Sequence, residues 1–264
     1  MKLKRSRLFS FLLICLTAFA LSSCGRAESG NDATDENLPE LKIGVDILEP
    51  FFSIDKNGEY AGIDADIAVE ACKRAGYKPI FVDLPWSDND TYLADGTVDC
   101  IWTASAIDGQ EDDYLWTSPY LESHIAVVVQ KNSNCRTLDE LSRHSVAVRN
   151  NSKAEELFIE NILPSNSIYS CGTIAMAKTA FVKGYADCLV DHRLVLEKLV
   201  ADNPELYHFL DENLLTLHLG VAFRKDDTTD CPQKISDALD EMKNDGTIAS
   251  IVEKYSTDYS VWED

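Results

Sequence analysis

The residues of this chain that could do chemistry do not assemble into a catalytic pattern. His124, His144, His192, His208 and His218 are scattered, and none has the spacing that sets two imidazoles on one helix face for a metal ion. There is no GxSxG elbow to present a serine nucleophile, no phosphate-cradling Gly-rich loop and no GxGxxG turn. Carboxylates are so abundant, 45 Asp and Glu against 24 Lys and Arg, that two which might serve as acid and base carry no information. The formal charge of -21 argues against a nucleic-acid partner and reports chiefly a solvated acidic surface, with a cationic ligand as the alternative. No cofactor and no metal are expected.

Cysteine offers the one modification signal. Lys2, Lys4, Arg5 and Arg7, the apolar run from Leu8 to Ala20 and the segment Ala20-Leu-Ser-Ser-Cys-Gly25 read as a bacterial lipoprotein signal, residues 1–23, with lipid attached at Cys24. The apolar run falls short of the roughly 20 residues that a bilayer span needs. The alternative is an ordinary signal peptide cut near Ala20. Lipidation would anchor the chain durably, so its functional part would work in water at a membrane surface, outside the cytoplasm. Of the other cysteines, Cys72, Cys100 and Cys188 sit among apolar neighbours and read as buried thiols. Cys135 and Cys231 lie in polar contexts and are the better disulfide candidates; Cys171 completes the set, and no pairing follows from spacing.

The elements that must position any site alternate between strand and helix. Residues 24–40 are polar and acidic, as a flexible spacer should be. A strand is expected at Leu41 to Val45, a turn at Asp55 to Gly58, a helix at Ile63 to Ala75 closed by Gly76, a strand at Ile80 to Leu84, a short helix before Gly96 and a strand at Val98 to Thr103. A second block repeats the pattern. It has strands at Ile125 to Gln130 and Ser145 to Val148, short helices at Thr137 to Arg143 and Lys153 to Ile162, and a capping box formed by Ser152 and Glu155. A strand at Ser167 to Ser170, a helix at Ile174 to Gly184, a strand at Asp187 to Val190 and a helix from about Asp191 follow. The last elements are a strand at Leu217 to Phe223 and helices at Pro232 to Asn244 and Thr247 to Tyr255. Alternation of this kind argues for α/β architecture with mainly parallel sheets, and two blocks of similar size suggest two lobes.

Several segments carry a more specific resemblance. Leu41-Lys-Ile-Gly-Val-Asp46, Pro50, Phe52, Gly62-Ile-Asp-Ala-Asp-Ile67, Gly96-Thr-Val-Asp-Cys-Ile101 and Trp116-Thr-Ser-Pro-Tyr120 stand in the order seen in the family 3 extracellular solute-binding proteins. Thr137-Leu-Asp-Glu-Leu141, Val146-Ala-Val148, Gly184-Tyr-Ala-Asp-Cys-Leu-Val-Asp191, Gly220-Val-Ala-Phe-Arg224, Asp245-Gly-Thr247 and Lys254-Tyr255 continue it, so the resemblance covers residues 40 to 256. It implies a two-lobed type II periplasmic-binding-protein fold with a ligand cleft between the lobes. By analogy the first lobe takes 41–122 and 219–264, the second 128–213, with hinge crossings near 122–127 and 214–219. It further implies a monomer that hands an amino acid or related small cationic metabolite to the permease subunits of an ABC importer. Other uses of the fold are a dehydratase of the cyclohexadienyl type, a lytic enzyme or a ligand sensor; sensors are usually fused to membrane or kinase segments, and this chain ends soon after the last motif.

The same resemblance assigns candidate ligand contacts. Asp191 matches the carboxylate that receives a ligand ammonium, although a helix N-cap is an equally physical role for it. Trp86 matches an aromatic wall, with core packing as the alternative. Thr103, Ala104 and Ser105 match groups that fix the ligand, Ser152 opens a helix whose amides suit a carboxylate, and Phe52 belongs to an early motif. Gln110 departs from the pattern, standing where an Arg normally forks onto the ligand carboxylate; a neutral amide cannot replace that charge. Glu49 departs too, standing where many relatives place an aromatic. With Asp46, Glu49 and Asp191 converging and no evident basic partner, the pocket would prefer a cation. The competing expectation is that Glu49 faces solvent and that Lys153 or Arg149 serves a carboxylate.

Overall fold

Alternating apolar residues build the first strand, β1 (Glu40–Val45), with Leu41, Ile43 and Val45 in the core. The computed structural model describes residues 38–160 and 167–256. The expected signal, Cys24, the spacer up to residue 37, the helix end expected at Ile162 and residues 257–264 lie outside this range. After β1 come the short hairpin β2 (Ser53–Ile54) and β3 (Tyr60–Ala61), then α1 (Ile63–Ala75), β4 (Lys78–Asp83), α2 (Asn89–Ala94), β5 (Cys100–Ile101) and β6 (Leu115–Trp116). The second block is β7 (Leu121–Gln130), β8 (Ser145–Arg149), α3 (Lys153–Ile159), β9 (Ser167–Cys171), α4 (Ile174–Val182), β10 (Cys188–His192), α5 (Arg193–Asp202), β11 (Tyr207–Phe209) and β12 (Leu215–Leu219). The chain then returns to the first block through β13 (Ala222–Phe223), α6 (Cys231–Asn244) and α7 (Thr247–Glu253).

Beside the two-stranded β2-β3 hairpin, two larger sheets form among the described residues, one per lobe. The first runs β4-β1-β5-β13-β6, with β1 between two parallel neighbours. The second runs β11-β7-β10-β8-β9, with β8 likewise between two parallel neighbours. In each, successive parallel strands are added on opposite sides of that strand, and the crevice at its carboxyl end is where open α/β sheets receive ligands. β7 and β12 pair antiparallel from Leu121 with Leu219 to Ile125 with Leu215.

Helix α1 packs on α6 and α7, so the last described helices cover the first lobe. Its start depends on Gly62, at φ +130, where a Cβ would stand 2.3 Å from the Phe51 carbonyl oxygen. Some expectations shift. The strand expected at Leu217 to Phe223 is two strands, because the chain changes sheet between Leu219 and Ala222. Residues 138–143 form a 3-10 turn. Asp191 is a strand residue and α5 begins after it, so it is not the N-cap of that helix. Cys135 and Cys231 are free and buried, as are the other four cysteines described, which corrects their reading as disulfide candidates; packed thiols serve as small hydrophobes.

One buried carboxylate ties α1 to the segment after β5. Asp64 is fully buried, accepting the Ala104 amide at 2.7 Å and the Tyr120 hydroxyl at 2.9 Å. The first bond secures Ala104 at φ +44, a conformation that costs a residue with a side chain. Burial pushes the Asp64 carboxyl up to about 7, outweighing the two hydrogen bonds that pull it down. Protonation therefore favours the folded state: the contribution is complete below about pH 4, the unfolded value, and is lost as the pH rises through the folded one. Asp64→Asn, whose amide nitrogen cannot accept a hydrogen bond, should lose about 1–3 kcal/mol in urea unfolding. The variant should also lack the wild-type decline in stability between these two pH values, and an unchanged pH profile would contradict the assignment.

Candidate functional site

The carboxyl ends of β1 and β8 meet beside a cavity of about 250 Å³. Asp46 follows β1 and Arg149 ends β8, and they meet: Arg149 Nη1 donates to Asp46 Oδ2 at 3.0 Å. Arg149 is 2% exposed, its Nε lies 3.7 Å from Asp191 Oδ2, and its Cζ stands 4.8 Å above the centre of the Trp86 ring. A guanidinium tolerates such burial only when its charge is answered, here by two carboxylates and an aromatic face. Burial pushes the Asp46 carboxyl up, and Arg149 offsets this only in part.

Other contacts also bridge the lobes. Trp86 Nε1 donates to the Asn151 carbonyl at 2.9 Å, and the rings of Phe51 and His192 meet edge to face at 5.6 Å. His192 is held neutral: burial, with a contribution from Arg149, lowers it to about 4, against the pull of Asp191. Its Nδ1 lies 2.7 Å from Ser123 Oγ. Ser152 caps α3, accepting the Glu155 amide at 3.2 Å and donating to the Arg149 carbonyl at 2.6 Å. The Glu155 carboxylate takes the Asn151 amide rather than that of Ser152, a variation on the expected capping box that holds Asn151 at φ +53.

Of the sequence candidates, Trp86, Ala104, Ser105, Gln110, Ser152 and Asp191 line the cavity. Thr103 lies beneath it, fully buried, its Oγ1 accepting the Asp46 amide at 3.1 Å. Asp46 is reached through Arg149. Phe52 is not brought to the cavity: it packs in the core against Tyr60 and Phe81. Glu49 is exposed and lies 3.9 Å from Lys198, so it does not join Asp46 and Asp191. The basic partner that those two carboxylates lacked in sequence is Arg149, which places a cation where a cation-seeking pocket was expected. Tyr114, Trp116, Asn89 and Lys153 also line the cavity. Arg149, named from the sequence only as one of two candidates to serve a ligand carboxylate, could also have been marked as the charged residue closing the apolar run Val146-Ala-Val148, at a parallel strand's carboxyl end.

Four buried polar atoms around this cavity have no hydrogen-bond partner: Asn89 Oδ1, Ser105 Oγ, Arg149 Nε and Asp191 Oδ2. They include both donors and acceptors, with both charge signs. Lys153 presses its Nζ against Gly109, where a Cβ would lie 2.6 Å away, so a second-lobe ammonium stands beside the turn that carries Gln110. It is paired with Glu156 at 2.7 and 2.9 Å. Among the described residues no group of three or more His, Cys, Asp or Glu is placed to hold a metal ion.

Comparison with known proteins agrees with this architecture. The chain is 26% identical over 259 residues, 97% of its length and 96% of the relative's, to the "Probable amino-acid-binding protein YxeM" of Bacillus subtilis (strain 168). Among solved structures, an ancestral arginine-binding protein bound to arginine matches with TM-score 0.74 at 26% identity, covering 82% of this chain and 97% of that one. The ancestral amino acid-binding protein AncCDT-1, a precursor of cyclohexadienyl dehydratase, matches with TM-score 0.73 at 27% identity, covering 82% and 95%. The family description that matches, over residues 41–258, spans both sheets and every cavity residue named above, and the chain belongs to the bacterial extracellular solute-binding proteins, family 3.

Proposed function

We propose that this protein is the substrate-binding lipoprotein of an ABC importer and captures an amino acid between its lobes without covalent chemistry. The observation that carries this reading is the set of unpartnered buried atoms around one cavity. Asp191 Oδ2 can accept from an ammonium, while Ser105 Oγ and Arg149 Nε can donate to a carboxylate. Buried polar atoms without partners cost about 1–3 kcal/mol each, and a zwitterion would recover much of that cost. Lobes 41–122 with 219–264, and 128–213, would close about 122–127 and 214–219, because contacts from both lobes exist together only when closed. An enzyme on this fold would need a positioned acid or base in the cleft, and turnover of a candidate substrate would distinguish it from a binding protein. Lipid at Cys24 would hold the protein outside the cytoplasmic membrane beside its permease, where one copy suffices for capture.

A thermal-shift panel of the common amino acids is the direct test. A ligand at 100 times its Kd adds about 2.7 kcal/mol to the folded state, which is roughly 5–10 °C at this size. At least one amino acid should give such a shift, and silence across the panel would contradict the reading. Asp191→Asn should then weaken that ligand by tenfold or more, since a charged hydrogen bond is worth about 1.5–3 kcal/mol.

Gln110 leaves Lys153 as the cation beside the expected carboxylate position. Lys153→Met should therefore weaken binding by about tenfold, and Gln110→Arg in that background should restore part of it. An unaltered affinity in Lys153→Met would remove Lys153 from the site. For the anchor, Cys24→Ser should move the protein from the membrane to the soluble fraction and abolish incorporation of labelled fatty acid.

A further inference from the structure

We propose that Arg149 occupies the seat a ligand's side-chain cation would otherwise take, so that the pocket selects amino acids with neutral or acidic side chains and rejects basic ones. The inference rests on the amino-acid reading above and names the ligand class. A bound cation at this cavity would look for an aromatic face and a carboxylate, and the chain fills both roles from within. The Arg149 guanidinium stands 4.8 Å over Trp86 and bonds Asp46 at 3.0 Å. Its planar charge is 2% exposed, so it is a built part of the cavity wall and not a surface side chain that happens to lean inward.

The remaining charges lead to the same class. Once an α-ammonium occupies Asp191 Oδ2, no other unpaired buried carboxylate lines the cavity among the described residues. Asp90 lines it too, but its residue is exposed and it takes the Tyr114 hydroxyl. Arg149, answered by Asp46 and Asp191, and Lys153, paired with Glu156, also line the cavity, so a ligand side-chain guanidinium or ammonium brought among them finds cations whose carboxylates are already engaged. A neutral amide or a carboxylate meets donors instead, including the unpartnered Arg149 Nε. The ancestral arginine-binding protein that this fold resembles is thus a guide to its architecture and not to its ligand.

Calorimetric titration of the full chain with glutamine, glutamate, citrulline, arginine and lysine tests the selection. Citrulline and arginine form the sharpest pair, a urea against a guanidinium of nearly the same shape. The best neutral or acidic ligand should bind at least tenfold more tightly than arginine or lysine, and smaller discrimination overturns the inference. Arg149→Ala, checked for fold by circular dichroism, should gain millimolar affinity for methylguanidinium, which the wild type lacks. A folded variant without that gain also overturns the inference; should Arg149→Ala not fold, Arg149→Ser, which likewise vacates the face of Trp86, replaces it. If no amino acid binds the wild type while methylguanidinium binds the variant, the amino-acid reading fails and the cation seat stands.

Discussion

The pairing of Arg149 with Asp46, under the eye of Asp191 and the face of Trp86, is the interaction on which the site depends. It joins the ends of β1 and β8, one from each lobe, where the buried guanidinium could not stand alone. Such a pair adds little net stability, because desolvation consumes most of the Coulombic gain, yet removing one member leaves an uncompensated charge at a cost of about 3–5 kcal/mol. Its importance is therefore geometric. It fixes which face of each lobe meets the other and which polar atoms remain for a ligand.

Everything around the pair serves to hold it in register. The strand orders β4-β1-β5 and β10-β8-β9 set β1 and β8 each between two parallel neighbours, so that both carboxyl ends open onto the cleft. Asp64 secures Ala104 from below, and the hydroxyl of Ser152 holds the Arg149 carbonyl while capping α3. Trp86 reaches across to the Asn151 carbonyl, so the aromatic that stacks on the guanidinium is itself held from the opposite lobe. The backbone strain at Ala104 and Asn151 sits at the cavity rim, where surrounding hydrogen bonds stabilise it.

The architecture was legible because it is written in local patterns. The alternation in Leu41 to Val45, the helical period of Ile63 to Ala75 with its Gly76 stop, and the Ser152 cap each specify structure within a few residues. The ordered motifs added the family, and with it the positions of Trp86, Ser105, Ser152 and Asp191 on the cavity. What local pattern could not reveal was direction. Glu49 and Phe52 are close in sequence to Asp46, but the turn after β1 sends one to solvent and the other into an aromatic cluster. Likewise, a lone Arg at a strand end looks like a surface charge until a second lobe arrives to bury it. Its partners lie 103 residues before it in the case of Asp46, a separation over which sequence periodicity carries no signal.

Whether Arg149 keeps its place beside a bound zwitterion is decided by a crystal structure grown with a pool of neutral and acidic amino acids. The prediction is density in the cavity between Trp86, Ser105 and Asp191, its ammonium on Asp191 Oδ2, with Arg149 still bonded to Asp46. Density with Arg149 swung out and the ligand stacked on Trp86 in its place would show that the cation seat is open to ligand and contradict this arrangement.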